Sequence, residues 1–335
     1  MTEQARVLVT GAGGFIGSHL VTYLKNRGYW VRGVDLKHPE FSETDADDFQ
    51  ILDLRRWEDC VKATQNVSEV YALAADMGGM GFISAHHAQI LYNNSLINLH
   101  TLEAARENGV KRYLYTSSAC IYPEHLQEDA NAKPLKEEDA YPAYPQDAYG
   151  WEKLVSERLC MHYREDYGIE TRTVRFHNIF GERGTWEGGR EKVPAAMCRK
   201  IAISKLTDEK VIDIWGDGEQ TRSFCHVDDC VEGIYRLMRS DFHEPLNLGQ
   251  DRMVTINQLA DIIAEISGVT ISKNHIDGPQ GVRGRNSDND KLRQVLNWEP
   301  QISLEDGLRR TYEWIEGEVK SSLIRDSDKI KTINA

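Results

Sequence analysis

The sequence has no long apolar run and no excess of positive charge. Its hydrophobic stretches stay well short of the roughly 18 residues that a membrane-spanning helix needs, so we expect no membrane contact. The chain carries 40 Lys and Arg residues against 53 Asp and Glu residues, a formal net charge of -13. Because nucleic acids and anionic membranes are bound by basic surfaces, this balance argues against both as partners. An anionic small ligand would need a local cluster of Lys and Arg.

Cysteine is also sparse, with 6 residues that show neither the spacing of a disulfide scaffold nor Cys-x-x-Cys pairs. A reducing, cytoplasmic location suits them best, and we expect no signal peptide, because the first residues lead directly into a predicted strand. A possible metal site is suggested by five residues close together in the sequence, Cys225, His226, Asp228, Asp229 and Cys230. We favour a strand end that runs into a capped helix, because no second ligand pair has matching spacing, and we expect no metal.

Alternating strand-like and helix-like segments dominate the first part of the chain. With 335 residues, 40% of them hydrophobic, the protein can bury a substantial core. Repeated βα units with short apolar strands predict an α/β protein with a Rossmann-type doubly wound parallel sheet. The βα pattern weakens after the strand predicted at 170–176, which indicates a smaller C-terminal α/β lobe.

The first βα unit predicts a dinucleotide site. The strand Arg6–Thr10 runs into the glycine-rich loop 11–17 and a helix, and the next strand ends at Asp35, about 20 residues further on. Glycines permit a tight turn and close approach of the backbone to a pyrophosphate at the positive helix N-terminus. The Asp35 carboxylate would accept from ribose hydroxyls and repel a 2′-phosphate, which favours NAD over NADP. The other expected contacts are Gly11, Gly14, Phe15, Ile16 and Gly17.

Four further segments carry local predictions. Asp53 ends a predicted strand and is expected to reach the adenine; its alternative role is a cap for the helix that follows. The loop 76–81, rich in glycine and methionine, follows a buried strand and is expected to wall the ligand site. A helix is predicted from about Asn94, with that side chain as a buried cap. A turn at 216–220 is predicted to be hairpin-like.

Catalytic side chains cluster around the end of another strand. The segment 117–120, Ser-Ser-Ala-Cys, ends this strand. The helix that follows carries Tyr149 and Lys153, which share one face at i, i+4 spacing. A phenol beside an ammonium group is a plausible base, because positive charge favours the phenolate and lowers its pKa. Cys120 stands where a serine or threonine would serve, and a lone cysteine after a strand is most often a small buried hydrophobe.

The glycine-rich loop, the serine pair and Tyr149-x-x-x-Lys153 together resemble the extended short-chain dehydrogenase/reductase family. The resemblance spans roughly residues 5–318. It implies a Rossmann domain that holds the cofactor and a lobe that holds a nucleotide sugar. The implied parts are an NAD-binding Rossmann domain (1–180, with 222–250 returning to it), a nucleotide-sugar-binding lobe (181–221 and 251–320) and a polar tail (321–335).

Six separated stretches narrow the resemblance to the GDP-mannose 3,5-epimerases of that family. They are 75–82, 117–123, 145–150, 175–178, 188–192 and 281–288. This resemblance implies epimerisation of GDP-mannose at C3 and C5 to GDP-L-galactose, and to GDP-L-gulose by C5 inversion alone, with NAD tightly bound. The alternatives are a sugar-nucleotide 4-epimerase, which needs neither the thiol nor Lys192, and an NAD-sensing regulator, which would have lost Tyr149 or Lys153.

The roles implied by the resemblance follow from the chemistry of the sugar. A ketone at C4 acidifies the protons at C3 and C5, since the resulting carbanion becomes an enolate. Tyr149 would take the C4 hydroxyl proton, with its pKa lowered by Lys153, which also holds the nicotinamide ribose. Ser118 would hydrogen-bond the C4 oxygen. Cys120 would act as base and Lys192 as acid on opposite faces of the ring.

The resemblance also implies substrate contacts and an assembly. The pKa of Lys192 would be depressed by burial or by Arg190. A homodimer is expected through helices near 95–108 and 150–166. The candidates for the GDP phosphates are Lys200, Arg222 and Arg285, and the other substrate contacts are Gly78, Ser118, Asn178, Glu191, Lys192 and Gln220.

Overall fold

The structure, a computed structural model, describes residues 4–207 and 209–333, with side chains described as far as Ile324. The first half contains β1 Arg6–Thr10, α1 Phe15–Asn26, β2 Trp30–Asp35, β3 Asp48–Ile51, α2 Trp57–Thr64, β4 Glu69–Ala72, α3 Met80–Ile83, α4 His87–Glu107, β5 Arg112–Ser118 and α5 Ala148–Tyr167. The second half contains β6 Glu170–Phe176, β7 Ile179–Phe180, α6 Val193–Thr207, β8 Val211–Trp215, β9 Thr221–Ser223, β10 Cys225–His226, α7 Val227–Arg239, β11 Leu246–Leu248, β12 Met253–Thr255, α8 Ile256–Ser267, β13 Ser272–Ile276, β14 Gly284–Arg285, α9 Asp290–Leu296 and α10 Leu304–Ile333. Within the described residues, no helix has both the length and the apolar character needed to cross a bilayer.

Seven strands form a parallel sheet in the order β11-β6-β5-β4-β1-β2-β3. The chain builds β1, β2 and β3 towards one edge, then returns to the centre and builds β4, β5 and β6 towards the other. Strand order therefore reverses between β1 and β4, where the two connecting loops diverge and leave a crevice. The predicted doubly wound parallel sheet is confirmed.

Helices cover both faces of this sheet, which explains why its strands are apolar without alternation. Along β1, Val7 and Val9 belong to the core on one face and Leu8 to the core on the other, and all three are fully buried. The first core joins β1 to α1 and α7 through Leu20, Leu24, Ile234 and Leu237. The second core joins the sheet to α2, α4 and α5 through Cys60, Leu102 and Cys160.

A separate hydrophobic cluster holds the C-terminal helices together. It joins α6, α8 and α10 through Cys198, Ile201, Leu259, Ile263, Leu308 and Ile315. The short strands β8 and β13 form a parallel pair, and β9 lies between β12 and β14 in a three-stranded sheet. The helix α8 begins with a capping box in which Thr255 and Gln258 satisfy each other's backbone N–H groups.

The predicted hairpin at 216–220 is wrong. β8 pairs with β13, whereas β9 pairs with β12 and β14. The turn has the positive φ angles expected of glycine, +74° at both Gly216 and Gly218, but it docks on α8. The N–H of Asn257 donates to the Gly218 carbonyl and its side-chain amide donates to the Asp217 carbonyl, which directs the chain away from β8.

The predicted start of α4 is also wrong, because the helix begins at His87 and Asn94 lies inside it. The Asn94 side chain accepts from the N–H of Asp76 at 2.6 Å and donates to Glu152 at 3.0 Å. The prediction therefore mistook Asn94, which hydrogen-bonds other groups from inside the helix, for a residue at the helix end. The predicted polar tail, 321–335, belongs to α10 as far as Ile333, and its last two residues lie outside the described range.

Candidate active site

A cavity of about 930 Å³ opens at the carboxyl ends of the strands, where the strand order reverses. It is lined by the glycine-rich loop, the ends of β2, β4 and β5, the start of α5 and segments of the C-terminal part. The structure brings every predicted site residue to this cavity. Those residues are Gly11, Gly14, Phe15, Ile16, Gly17, Asp35, Asp53, Gly78, Ser118, Cys120, Tyr149, Lys153, Asn178, Glu191, Lys192, Lys200, Gln220, Arg222 and Arg285.

The glycine-rich loop has no room for a side chain at Gly11, Gly13 and Gly17. Gly11 has a φ of +70°, and a Cβ on Gly17 would lie 2.0 Å from the Gly11 carbonyl oxygen. The helix α1 starts after Gly14 without a side-chain cap. Its first N–H groups therefore border the cavity as donors for an anion, with the helix dipole adding to the attraction.

The Asp35 carboxylate is held at the end of β2 by backbone donors. Its Oδ2 accepts from the N–H of Gly13 at 3.0 Å, and its Oδ1 accepts from the N–H groups of Leu36 at 2.6 Å and Lys37 at 3.3 Å. A carboxylate oxygen has further lone pairs, so Asp35 retains capacity for ribose hydroxyls. Its fixed negative charge disfavours a 2′-phosphate at the same place.

Asp53 borders the cavity but is engaged by a neighbour. Its two oxygens accept from Nε and a terminal nitrogen of Arg55 at 2.8 and 2.7 Å. This hydrogen bonding by Arg55 lowers the pKa of the carboxyl. The alternative prediction of a helix cap is wrong, because α2 begins at Trp57 with Arg56 at the N-cap position.

Tyr149 and Lys153 lie on the cavity-facing side of α5, and both are almost fully buried. Lys153 Nζ donates to the Thr116 carbonyl at 3.0 Å and lies 5.5 Å from the centre of the Tyr149 ring. It also lies 3.9 Å from a carboxylate oxygen of Glu152. That carboxylate is itself fixed by amides of α4.

The prediction that Lys153 lowers the pKa of Tyr149 is wrong, because the surroundings of the phenol raise its pKa. Burial raises the pKa of Tyr149 well above its usual range, and the neighbouring Cys120 raises it further. A hydrogen bond with the Ser118 side chain acts in the opposite direction. Burial also lowers the pKa of Lys153, so desolvation outweighs the attraction that the i, i+4 spacing suggested.

Cys120 lies in a short 3₁₀ turn, Ala119–Ile121, directly after β5. The Ser118 hydroxyl accepts from the N–H of Cys120 at 3.2 Å and so caps this turn. A Cβ on Gly150 would lie 2.2 Å from the Cys120 carbonyl oxygen, so α5 starts in direct contact with the turn. The Cys120 Sγ is half-buried and accepts from Arg285 at 3.3 Å.

Lys192 precedes α6 and borders the same cavity. The Lys192 side chain is exposed to solvent, but the protein mass around the cavity desolvates its ammonium group and lowers its pKa, while the nearby Cys120 raises it. Burial is one of the two predicted causes. The other prediction is wrong, because the Arg190 side chain turns away to Asp76 and Phe82.

The three cations predicted to bind the phosphates all border the cavity. Arg222 donates to the carbonyl groups of Thr221 and Val282, both at 2.7 Å, and burial together with the Arg285 charge lowers its pKa to about 9. Lys200 donates to the Asp213 carbonyl. These groups supply the local positive potential that the acidic chain otherwise lacks.

The polar residues predicted to contact the substrate differ in which of their hydrogen-bonding groups remain available. Glu191 accepts from the N–H of Gly189 and from Arg199 of α6, and Asn178 donates to the Ser223 carbonyl at 2.9 Å. Gln220 donates through Nε2 to the Trp215 carbonyl, whereas its buried Oε1 has no partner among the described residues. Gln220 is therefore a fixed acceptor at the cavity wall. Gly78 lies in the loop that forms another wall.

Sequence reasoning missed two contributors. Ser117 is buried at the cavity with a hydroxyl that lacks a partner among the described residues, although its place beside Ser118 was visible. Gln127 accepts from Arg285 Nε at 2.5 Å and donates to two backbone carbonyls. No local pattern signals Gln127, because its role depends on a residue far along the chain.

Comparison with known proteins places this geometry among sugar-nucleotide enzymes. Residues 7–249 match the NAD dependent epimerase/dehydratase family. The chain is 51% identical over 329 residues to the GDP-mannose 3,5-epimerase of Arabidopsis thaliana and 52% identical to GDP-mannose 3,5-epimerase 1 of Oryza sativa subsp. japonica, covering 98% of this chain and 86% of each relative.

Solved structures of the same architecture contain sugar nucleotides. The UDP-glucose 4-epimerase of Thermotoga maritima with UDP-glucose superposes with a TM-score of 0.84 at 28% identity, covering 94% of this chain and 99% of that one. The UDP-glucuronic acid 4-epimerase of Bacillus cereus, in complex with UDP-glucuronic acid and NAD, gives a TM-score of 0.78 at 27% identity over 93% and 99%.

Proposed function

The chain belongs to the NAD-dependent epimerase/dehydratase family, and we propose that it inverts C3 and C5 of GDP-mannose. The products would be GDP-L-galactose and, by C5 inversion alone, GDP-L-gulose. The observation that carries this proposal is the presence of Cys120 and Lys192 in the cavity that also contains Tyr149. Inversion next to a transient ketone requires a base for the C4 hydroxyl beside a hydride acceptor, and two further groups that move protons at the neighbouring carbons.

The residues of the first βα unit fit NAD. The glycine-rich turn excludes side chains, α1 offers uncapped N–H groups, and Asp35 presents a carboxylate beyond β2. When bound, NAD supplies the acceptor and later the donor of the C4 hydride. The glycine-rich loop would hold the pyrophosphate, Asp35 the adenosine ribose and Lys153 the nicotinamide ribose, with Asp53 on the adenine side.

At C4, Tyr149 would take the hydroxyl proton and later return it. For this, Tyr149 must start as the phenolate, with its phenol proton released to solvent. Burial opposes that ionisation, whereas the positive charges of Lys153 and of a bound nicotinamide would favour it, and Ser118 would hydrogen-bond the C4 oxygen as charge develops. Lys153 is fixed between Thr116 and Glu152, so it holds a constant distance from the phenol.

At C5 and C3, Cys120 would remove a proton from one face and Lys192 would return one to the other. A thiol is able to exchange protons with a carbon acid, and the Cys120 Sγ is held in the cavity by its hydrogen bond from Arg285. Burial lowers the pKa of Lys192, which makes its ammonium a better proton donor. Lys200, Arg222 and Arg285 would bind the GDP phosphates, and Arg285 also contacts the thiol.

The remaining polar contacts have distinct proposed tasks. Gln220 would accept from the substrate through its free Oε1, and Asn178 and Gly78 would border the sugar. Glu191 would act through the position of its segment, because its carboxylate oxygens are both engaged.

A sugar-nucleotide 4-epimerase is the rival function, because solved structures with this architecture have that activity. Incubation with GDP-mannose in heavy water, without added NAD, separates the two. We expect deuterium at C3 and C5 of the recovered GDP-hexoses, measured by nuclear magnetic resonance. Label at neither carbon, with C4 alone inverted, would identify a 4-epimerase.

We also propose a homodimer formed by α4 and α5. These helices expose large apolar side chains, with Tyr92 67%, Leu99 46%, Trp151 42% and Val155 63% accessible, and such a row is typical of an interface. Light scattering of Val155→Glu should give the mass of a monomer, whereas Val211→Glu, on an exposed residue of β8, should not change the mass. Equal masses for both variants would contradict this interface.

The domain division and location complete the proposal. The cluster of α6, α8 and α10 supports a nucleotide-sugar-binding lobe over 181–221 and 251–320, packed beside a Rossmann domain over 1–180 and 222–250. Six cysteines without a disulfide support a reducing cytoplasm, and the net charge of -13 supports a small-molecule substrate over nucleic acid.

A further inference from the structure

Two segments meet at the cavity, the 76–82 loop, which follows β4 and ends in the first turn of α3, and the segment 188–192 before α6. The N–H of Gly79 donates to the Arg190 carbonyl at 3.1 Å. A Cβ on Gly79 would lie 2.5 Å from the Glu191 carbonyl oxygen. The two backbones therefore touch, and they do so immediately before Lys192.

The Arg190 side chain extends this contact. Its guanidinium lies 3.8 Å from the centre of the Phe82 ring, and a terminal nitrogen lies 3.3 Å from an oxygen of Asp76 and 3.4 Å from the Met77 carbonyl. Asp76 also accepts from two amides of α4. Arg190 therefore binds the 76–82 loop, and Asp76 of that loop is hydrogen-bonded to the long helix α4.

Glu191, the residue between Arg190 and Lys192, is held by α6 and not by the 76–82 loop. Glu191 accepts from the N–H of Gly189 at 2.7 Å and from Arg199 of α6 at 3.0 Å. The Lys192 carbonyl accepts from the N–H of Ala196 at 3.0 Å, which begins the helix. The position of Lys192 is therefore set on one side by α6 and on the other by the 76–82 loop.

We propose that Arg190 is a positioning residue for Lys192: by gripping Phe82 and Asp76 it holds the Lys192 backbone at proton-transfer distance from the sugar face opposite Cys120. This inference rests on the proposed 3,5-epimerisation. A proton donor that moves by about 1 Å can lose ~100-fold in rate. Removing the grip should then impair return of a proton to the opposite face and leave proton removal by Cys120 in place.

The test compares three variants of the full-length protein with GDP-mannose in heavy water. Arg190→Ala removes the grip, and Arg190→Lys keeps a cation over Phe82 without the flat guanidinium. Arg252→Ala is the matched control, because Arg252 is as exposed as Arg190 (54% against 49%) and also pairs with a carboxylate, Glu305. Nuclear magnetic resonance measures inverted products and deuterium in uninverted GDP-mannose separately.

Arg190→Ala should form inverted products ~10- to 100-fold more slowly, while deuterium still enters uninverted GDP-mannose within about twofold of the wild-type rate. Arg190→Lys should recover part of the lost inversion, and Arg252→Ala should match the wild type. A parallel fall of exchange and inversion would overturn the inference, because a defect of folding or binding has that result. Unchanged inversion would overturn it too. Absence of exchange at C3 and C5 in the wild type would overturn the proposed function, and this inference with it.

Discussion

Gly150→Ala is expected to damage catalysis through the contact between α5 and the Cys120 turn. A Cβ at position 150 would lie 2.2 Å from the Cys120 carbonyl oxygen and 2.8 Å from the Pro145 Cβ. Ordinary contact begins at 3.4 Å, so the helix start and the turn must separate by about 1 Å. Tyr149 is the neighbouring residue and would move with the helix relative to Ser118.

Two effects of this substitution on stability oppose each other. Alanine in place of glycine favours a helix by at most about 1 kcal/mol. Overpacking of a close contact costs about 1–3 kcal/mol. The cost equals or exceeds the gain, so the free energy of unfolding should fall by up to about 2 kcal/mol. A displacement of about 1 Å among reacting groups should lower the epimerisation rate by ~100-fold.

Gly317→Ala provides the matched control for this prediction. Gly317 lies inside α10, and a Cβ there would meet nothing within 4 Å. This variant should gain up to about 1 kcal/mol and keep the wild-type rate. Urea unfolding measures stability, and the appearance of inverted GDP-hexoses measures activity. If Gly150→Ala were as active and as stable as Gly317→Ala, the close contact would not constrain the site.

Two further predictions concern deuterium exchange at C5 of the substrate and the stability of the protein at low pH. In Cys120→Ala, transient reduction of bound NAD by GDP-mannose should survive, whereas deuterium exchange at C5 should collapse; full exchange would exclude Cys120 as the base. Burial alone would raise the pKa of Glu182, but its hydrogen bond with His226 and the charge of Arg310 help to lower it to about 2. Its stabilising contribution is therefore complete above the unfolded-state pKa of about 4.3 and is lost as pH falls towards 2. Urea unfolding at about pH 5 and pH 3 should show a smaller loss for Glu182→Gln than for the wild type, and equal losses would contradict this.

The parts of the site that could be predicted from the sequence are those whose geometry is local. The turn from β1 into α1 requires glycine within a few residues, and Tyr149 and Lys153 share a face because a helix repeats every 3.6 residues. Strand pairing is not local in this sense. The turn at 216–218 has glycines suited to a hairpin between β8 and β9. Instead β8 pairs with β13, which begins more than fifty positions after the start of β9.

Charge interactions were the least predictable part, because they depend on burial and on partners far along the chain. Arg285 contacts Cys120 across 165 positions, and Arg190 contacts Asp76 across 114. The sequence placed Arg190 beside Lys192, where a repulsive effect on its pKa was the natural expectation. The fold instead turns Arg190 towards Phe82 and leaves desolvation as the cause that lowers the Lys192 pKa. Arg190 therefore acts on its neighbour through position and not through charge, so replacing it should change where the returning proton goes without changing how readily Cys120 removes one.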